Sequence, residues 1–316
     1  MTTAVAHPNI ALAKYWGKRA GAGNVPAVPS LSVTLAGLST RTTVTFGGRG
    51  EDVIVLNGIV QPAGATARAR ALIDSVRAAA AIDGAARVES ENDFPTASGL
   101  ASSASGFAAL ALAATRAAGL DTSVADVADL ARRGSASAAR SLFGGFCELV
   151  PDEAGARAAQ VAPEGALPLR VLVCVVTEDA KDVPSSVGME QTRAESPYYA
   201  AWLDAAPRLF ADIRAAVVAG DLAKTCELSE RSALAMHASA LAAGVVYFRP
   251  VTLDVYARVR ALRAAGRTAF ATMDAGPHVK VLTSADESEA LARELGAVPG
   301  VLRVLVARPG PGAFVP

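Results

Sequence analysis

The stretch that most constrains what this chain can fold into runs from Asn92 to Gly106, Asn-Asp-Phe-Pro-Thr-Ala-Ser-Gly-Leu-Ala-Ser-Ser-Ala-Ser-Gly. It follows a strand-like run over 86–91 and opens onto 107–120, where alanines and leucines favour a helix. Small residues before a helix N-terminus let backbone N–H groups approach a ligand closely. The hydroxyls of Ser98, Ser102, Ser103 and Ser105 add donors, and the helix dipole favours negative charge there. Such a loop suits phosphate; an ordinary capped turn, with Ser98 as N-cap and Pro95 as punctuation, is the simpler alternative. The loop holds neither Gly-Lys-Ser/Thr nor any lysine, so a cation that meets phosphate must come from elsewhere in the chain.

A length of 316 residues predicts two domains, and 52% hydrophobic content is ample for their cores. The connection over 151–168 is rich in small residues and punctuated by Pro and Gly, which places the expected division at 1–164 and 165–316. With 30 basic and 30 acidic residues and no basic block, a nucleic-acid surface is not expected. No charged start leads into an apolar run and no span-length apolar stretch occurs, so a cytoplasmic protein without a membrane partner is expected. Cys147, Cys174 and Cys226 have neither disulfide-like nor zinc-like spacing and read as buried small hydrophobes. His7, His237 and His278 are scattered, which leaves the chemistry to carboxylates, amines, guanidiniums and hydroxyls.

Near the N-terminus, an extended segment over 3–18 would set Lys14, Trp16 and Lys18 on one face and Tyr15 on the other. That makes a cationic ledge, or else an edge strand protected by lysine. Strands are expected over 30–35, 41–46, 53–56, 142–150, 169–176, 268–272 and 301–306, with a turn at Asn57-Gly58. Helices are expected over 65–80, 123–133, 190–193, 199–219, 222–241, 253–265 and 288–295, the second capped by Asp121 or Thr122. The mixture predicts a two-layer α/β or α+β architecture. Arg68, Arg70 and Arg77 read as a solvated helix face. From Arg133 to Ser141, hydroxyls and two cations stand almost without bulk between them. On a helix, Ser137 and Arg140 would lie one turn apart, and the Arg140 fork suits a carboxylate or phosphate; a tight contact between helices would need the same small residues.

Met273-Asp274-Ala275-Gly276-Pro277-His278 lies where a strand ends in a Gly-Pro turn, a place that can hold a side chain rigidly at a cleft. One carboxylate, two lysines, an arginine among serines and a phosphate loop are the parts of a phosphoryl-transfer site.

The loop Pro95-Thr96-Ala97-Ser98-Gly99-Leu100-Ala101-Ser102-Ser103-Ala104 resembles the ATP-binding phosphate loop of the GHMP kinase superfamily. The runs 9–19, 30–35, 134–145 and 274–277 narrow the resemblance to the diphosphomevalonate decarboxylase family, and they occur in the family's order. The resemblance implies a ribosomal-protein-S5-like N-terminal domain, a ferredoxin-like C-terminal domain and an active site in the cleft between them. It implies ATP-dependent conversion of diphosphomevalonate to isopentenyl diphosphate, carbon dioxide, ADP and phosphate, with ATP and magnesium and no other cofactor, in a homodimer. By the same resemblance Asp274 is the base or orienter for the substrate hydroxyl, Arg140 grips the substrate carboxylate and Lys14 lies near the reacting groups. Tyr15, Trp16, Gly17, Lys18, Arg68, Ser135, Ala136, Ser137, Ala138, Ala139 and Ser186 fall at substrate-binding positions. Pro95 to Ser103 would hold ATP, with Ser102 or Ser103 on the metal.

The chain departs from the family pattern at several places. Ala136 replaces a usual Gly, Ala139 a common Cys and His278 an Asn. Val28-Pro29 stands for a polar pair, Pro184 for a Ser, and Gly244-Val245-Val246 for Pro-Pro-Ile. Two further functions therefore fit the same residues: a kinase or decarboxylase acting on a less phosphorylated mevalonate, and a non-catalytic nucleotide sensor.

Overall fold

The computed structural model describes residues 1–19, 21, 23–94, 102–179 and 182–316. Its first half begins with strands β1 (Thr2–Ala6) and β2 (Asn9–Ala13), then β3 (Ser30–Ala36), β4 (Thr40–Gly48), β5 (Val53–Leu56) and β6 (Ile59–Val60). Helix α1 (Ala67–Ala80) and strand β7 (Ala85–Asn92) lead to the phosphate-loop segment. Helices α2 (Ser102–Ala117), α3 (Val124–Gly134) and the single turn α4 (Ala138–Ser141) follow, then the hairpin of β8 (Phe146–Pro151) and β9 (Ala156–Ala162). The second half holds β10 (Leu169–Val175), helices α5 (Ser185–Glu195), α6 (Tyr199–Val218), α7 (Leu222–Leu241) and α8 (Pro250–Ala264), then β11 (Phe270–Met273), β12 (Val279–Ser284), α9 (Ser288–Gly296) and β13 (Arg303–Pro309).

One sheet has the order β1-β4-β7-β5-β6, and a second runs β11-β12-β10-β13-β3-β8-β9 with β2 also paired to β3. The second sheet passes through both halves of the chain, because β13 pairs with the end of β3 at Arg308–Ala36 and Pro309–Leu35. The tail beyond it is laced into the first half: Gly310 N–H donates to Thr34 O at 2.8 Å, and the Gly310 carbonyl accepts from Gly145 N–H at 2.9 Å. No side chain fits there, since a Cβ on Gly310 would overlap the backbone nitrogen of Ala36.

Helix α2 lies across β1 and β4, and its small buried face, including Ala104, Ala108, Ala111 and Ala113, lets helix and sheet approach closely. Helix α7 matters most for function. It packs on both β2 and β11, elements at separate places in the second sheet, and so brings the ends of those strands together.

The structure corrects several expectations. Helix α3 is capped by Ser123, not by Asp121 or Thr122: Asp126 N–H donates to Ser123 Oγ at 3.2 Å and Ser123 N–H to Asp126 Oδ2 at 3.1 Å, a reciprocal capping box. The 151–168 connection contains β9, an alanine-rich strand whose pairing with β8 supplies what its weak propensity does not. Strand β12 lies where none was expected. The extended ledge is absent, for β2 stops at Ala13 and 14–17 is irregular. Arg77 is not merely solvated, since it pairs with Asp52 at 2.6 Å.

Candidate active site

The turn 274–278 joins β11 to β12 and is held at both ends. Gly276 N–H donates to the Asp274 carbonyl at 2.8 Å, and Thr252 Oγ1 from α8 donates to Pro277 O at 2.7 Å. The Asp274 carboxylate is thereby fixed at the cavity wall, with 29% of its side-chain surface open. Lys14 Nζ lies 2.7 Å from Oδ1 and Lys280 Nζ, from β12, 3.3 Å from Oδ2. Lys14 is itself set by α7: its backbone N–H donates to Ser232 Oγ at 2.9 Å, while its ammonium also donates to Ala11 O at 2.9 Å.

These contacts decide ionisation. Burial pushes the Asp274 carboxyl up, but the charges of Lys14 and Lys280 outweigh it and hold the group well below the usual carboxylate range. Burial drives Lys14 down, Asp274 opposes that, and Lys280 and Arg140 add to the lowering. Beside them on α7, burial and the Lys14 charge lower His237 to about 3, so its imidazole is neutral near pH 7.

Arg140 is 1% exposed. Its Nε donates to Ser32 Oγ at 2.9 Å, Nη1 to Ser30 Oγ at 2.6 Å and Nη2 to Asn9 Oδ1 at 3.4 Å. Asn9 is oriented in turn by donating to Ser137 O at 2.9 Å and Ser141 Oγ at 2.8 Å. Every one of these acceptors is neutral, and burial lowers the guanidinium to about 10. A buried cation cradled by neutral oxygens is poised for an anion from outside the chain.

Asp274, Lys14 and Arg140 border one cavity of about 490 Å³, together with Tyr15, Trp16, Lys18, Arg68, Ser135, Ala136, Ser137, Ser186, Ser102 and Ser103. Lys18 Nζ donates to Asn24 Oδ1 at 2.7 Å; burial, then the Arg68 charge, lowers its pKa. Arg68 donates to Gly134 O at 3.0 Å and lies 5.4 Å over the Phe107 ring. Ser135 and Ser137 hydroxyls stand 3.2 Å apart. Burial raises the Tyr15 phenol above its ordinary range, and its hydroxyl has no hydrogen-bond partner among the described residues. Trp16 is buried edge-on against Tyr247, and its carbonyl accepts from Trp202 Nε1 at 2.8 Å.

Three expected substrate residues stand apart. Ala138 and Ala139 are packed in the first-half core and do not border the cavity. Gly17, at φ 101°, also lies off the wall; a Cβ there would strike the Tyr199 hydroxyl, so its glycine permits the bend between Trp16 and Lys18. Pro95, Thr96, Ala97, Ser98, Gly99, Leu100 and Ala101 lie outside the described residues. Lys280, Asn9, Ser30 and Ser32 carried no role in the sequence reading. A lysine within Val-Lys-Val-Leu was the available signal for the first, and a Ser-x-Ser alternation on one strand face for the last two.

Magnesium and nucleotide fit the residues present. Ser102 and Ser103 open α2 at the cavity, and no group of three or more His, Cys, Asp and Glu among the described residues forms a cation cage. Hydroxyls at a helix N-terminus suit a hard cation that takes its other ligands from phosphate and water. Among the described residues, no helix is long and apolar enough to cross a membrane.

Residues 6–160 match the diphosphomevalonate decarboxylase-like N-terminal domain, and 171–300 the mevalonate 5-diphosphate decarboxylase C-terminal domain. The diphosphomevalonate decarboxylase of Aspergillus fumigatus is 36% identical over 327 residues, covering 94% of this chain and 80% of the relative. The phosphomevalonate decarboxylase of Haloferax volcanii is 38% identical over 269 residues, covering 83% and 81%. The crystal structure of mevalonate diphosphate decarboxylase from Staphylococcus aureus superposes with a TM-score of 0.94 at 36% identity, covering 100% of this chain and 97% of that one. A structure described as MDDEF in complex with MVAPP, AMPPCP and magnesium gives 0.92 at 40% identity, covering 99% and 98%. With both halves matched in order and full-length relatives on the same fold, this chain belongs to the diphosphomevalonate decarboxylase family.

Proposed function

We propose that the chain catalyses the ATP-dependent decarboxylation of (R)-5-diphosphomevalonate to isopentenyl diphosphate, with release of ADP, phosphate and carbon dioxide. The observation that carries this is Asp274, an ionised carboxylate held between two ammonium groups on the wall it shares with the Arg140 guanidinium and the Ser102–Ser103 hydroxyls.

The chemistry follows from the leaving group. A tertiary hydroxide does not depart, so the alcohol oxygen is first bonded to the γ-phosphorus of ATP, the bond to ADP breaking as it forms. Asp274 accepts the hydrogen bond of that hydroxyl and aims its oxygen, taking the proton as the new bond develops. Lys14 neutralises charge beside the reacting oxygens. When phosphate leaves, the electron pair of the bond to the substrate carboxylate forms the alkene and carbon dioxide is released. Arg140 holds that carboxylate in line, its fork locked by Ser30, Ser32 and Asn9. Lys18, Arg68, Tyr15, Ser135, Ser137 and Ser186 face the diphosphate and carbon skeleton. Ser102 and Ser103 would hold magnesium, which offsets phosphate charge when bound. Ala138 and Ala139 act only through packing, behind the serines.

The matched segments end at 160 and resume at 171, which supports a division at 164 and 165 into an ATP-binding half and a substrate-covering half. A cytoplasmic homodimer accompanies this reading; sedimentation of the purified chain tests the assembly.

A second reading, action on the monophosphate, is favoured by the match to the Haloferax phosphomevalonate decarboxylase. Lys18 and Arg68, additional to Lys14 and Arg140, favour the more highly charged substrate. Supplying ATP with mevalonate, its monophosphate or its diphosphate, and reading ADP and carbon dioxide, separates the cases. The diphosphate should give the highest kcat/KM; preference for the monophosphate overturns the assignment, and ADP alone makes the chain a kinase.

A further inference from the structure

Lys280 enters the chemistry just described only as a neighbour of Asp274. It is the second residue of β12, opposite Thr272 on β11 and Val173 on β10. Its neighbours by alternation, Val173 and Leu282, belong to the apolar cluster that also takes in Ile213 and Val217 of α6 and Leu228 of α7. Its side chain is 0% exposed and does not border the cavity. An ammonium group in such a place is costly to desolvate, and stability alone would be served by an aliphatic residue there.

What the position does provide is a second hold on Asp274. Lys14 takes Oδ1 at 2.7 Å and Lys280 takes Oδ2 at 3.3 Å. With an ammonium on each oxygen, the carboxylate cannot turn without giving up one of them. The cluster also carries more positive than negative charge, since one carboxylate faces Lys14, Lys280 and the nearby Arg140. Such an excess opposes folding and suits a cleft that receives a polyanion.

We propose that Lys280 is a positioning residue for the phosphoryl-transfer step: acting through Asp274, it fixes the plane of the carboxylate so that one lone pair faces the substrate hydroxyl. The alcohol oxygen bonds to phosphorus, its proton passes to Asp274, and the electron pair of the broken bond stays on ADP. This inference rests on the decarboxylase reading of the site.

The charged and titratable groups around Asp274 are Lys14 at the end of β2, Lys280 on β12, Arg140 on α4 and His237 on α7, the last neutral. Removing Lys280 leaves burial pushing the carboxyl up against one opposing charge fewer.

The test is Lys280→Met in the full chain, with ADP and carbon dioxide both measured near neutrality over a range of diphosphomevalonate concentrations. The expected result is a fall in kcat of at least about tenfold with a KM for diphosphomevalonate within about threefold, since only the aim of the base is lost. A kcat near wild type, or a KM raised beyond that as kcat falls, overturns the proposal. Should the variant not fold, the carboxyl carbon of Asp274 is titrated in the unaltered chain by carbon-13 NMR, assigned with Asp274→Asn. No titration above about pH 3 supports the clamp, and a midpoint near the ordinary value of about 4 overturns it. Failure of the decarboxylase reading is distinct: the unaltered chain then yields neither product, or ADP alone.

Discussion

The Lys14 ammonium stands 2.7 Å from Asp274 Oδ1, although 260 positions separate the two residues. Helix α7 makes the meeting possible by packing on the strands that end at each of them. The pair is therefore a sensitive report on the whole fold as well as a part of the chemistry.

Asp274→Asn keeps the shape of the side chain and removes the charge that orients the hydroxyl. Loss of a positioned base costs about 10²–10⁴-fold in rate. We expect kcat to fall within that range while nucleotide affinity, measured by titration with a non-hydrolysable ATP analogue, changes little. Turnover close to that of the unaltered enzyme would exclude the role.

Arg140 is held through three different nitrogens by Ser32, Ser30 and Asn9. A lysine keeps the charge but cannot reproduce that fork. Arg140→Lys is therefore expected to lose about 10²-fold in kcat, comparable to removal of one transition-state donor. Full rescue by lysine would show that charge alone matters.

Much of this was legible beforehand, and the gaps have physical causes. Strand β5 falls at its expected residues, and Asp274, Arg140, Lys14, Lys18, Ser102, Ser103, Ser135, Ser137 and Ser186 border one cavity. Strand β12 was missed because it is short and buried on both faces, so it shows no alternation, and Lys280 was missed with it. Lys14, Tyr15, Trp16 and Lys18 all reach the cavity wall, which two-residue periodicity forbids and an irregular segment with Gly17 at positive φ allows. Ser30 and Ser32 looked like ordinary strand residues; only the chain crossing from α4 gives them a partner.

His237 provides a pH signature. Its pKa is about 3 when folded, against about 6.5 for an exposed imidazole, so the folded state disfavours its protonation. A depressed folded pKa contributes stability that is complete above about pH 6.5 and is lost as pH falls toward 3. Between pH 6.5 and 5 the loss should be roughly 2 kcal/mol. Urea unfolding of the parent chain and of His237→Leu at both pH values checks this: the parent should lose more stability than the variant between pH 6.5 and 5, and parallel behaviour would contradict it.

Gly310 fixes the tail to β3, the strand that carries Ser30 and Ser32. Gly310→Ala pushes a methyl group into the Ala36 backbone, where nothing can rotate away. Destabilisation of about 1–3 kcal/mol is expected, read as a lower unfolding midpoint. An unchanged midpoint would mean that the tail is not a structural tie.

The central claim is that one cleft both phosphorylates an alcohol and expels carbon dioxide. Its most direct test is simultaneous measurement of ADP and carbon dioxide as the purified chain consumes diphosphomevalonate with magnesium and ATP. The account predicts equal amounts of the two at every time point; ADP formed without carbon dioxide, or neither product, would contradict it.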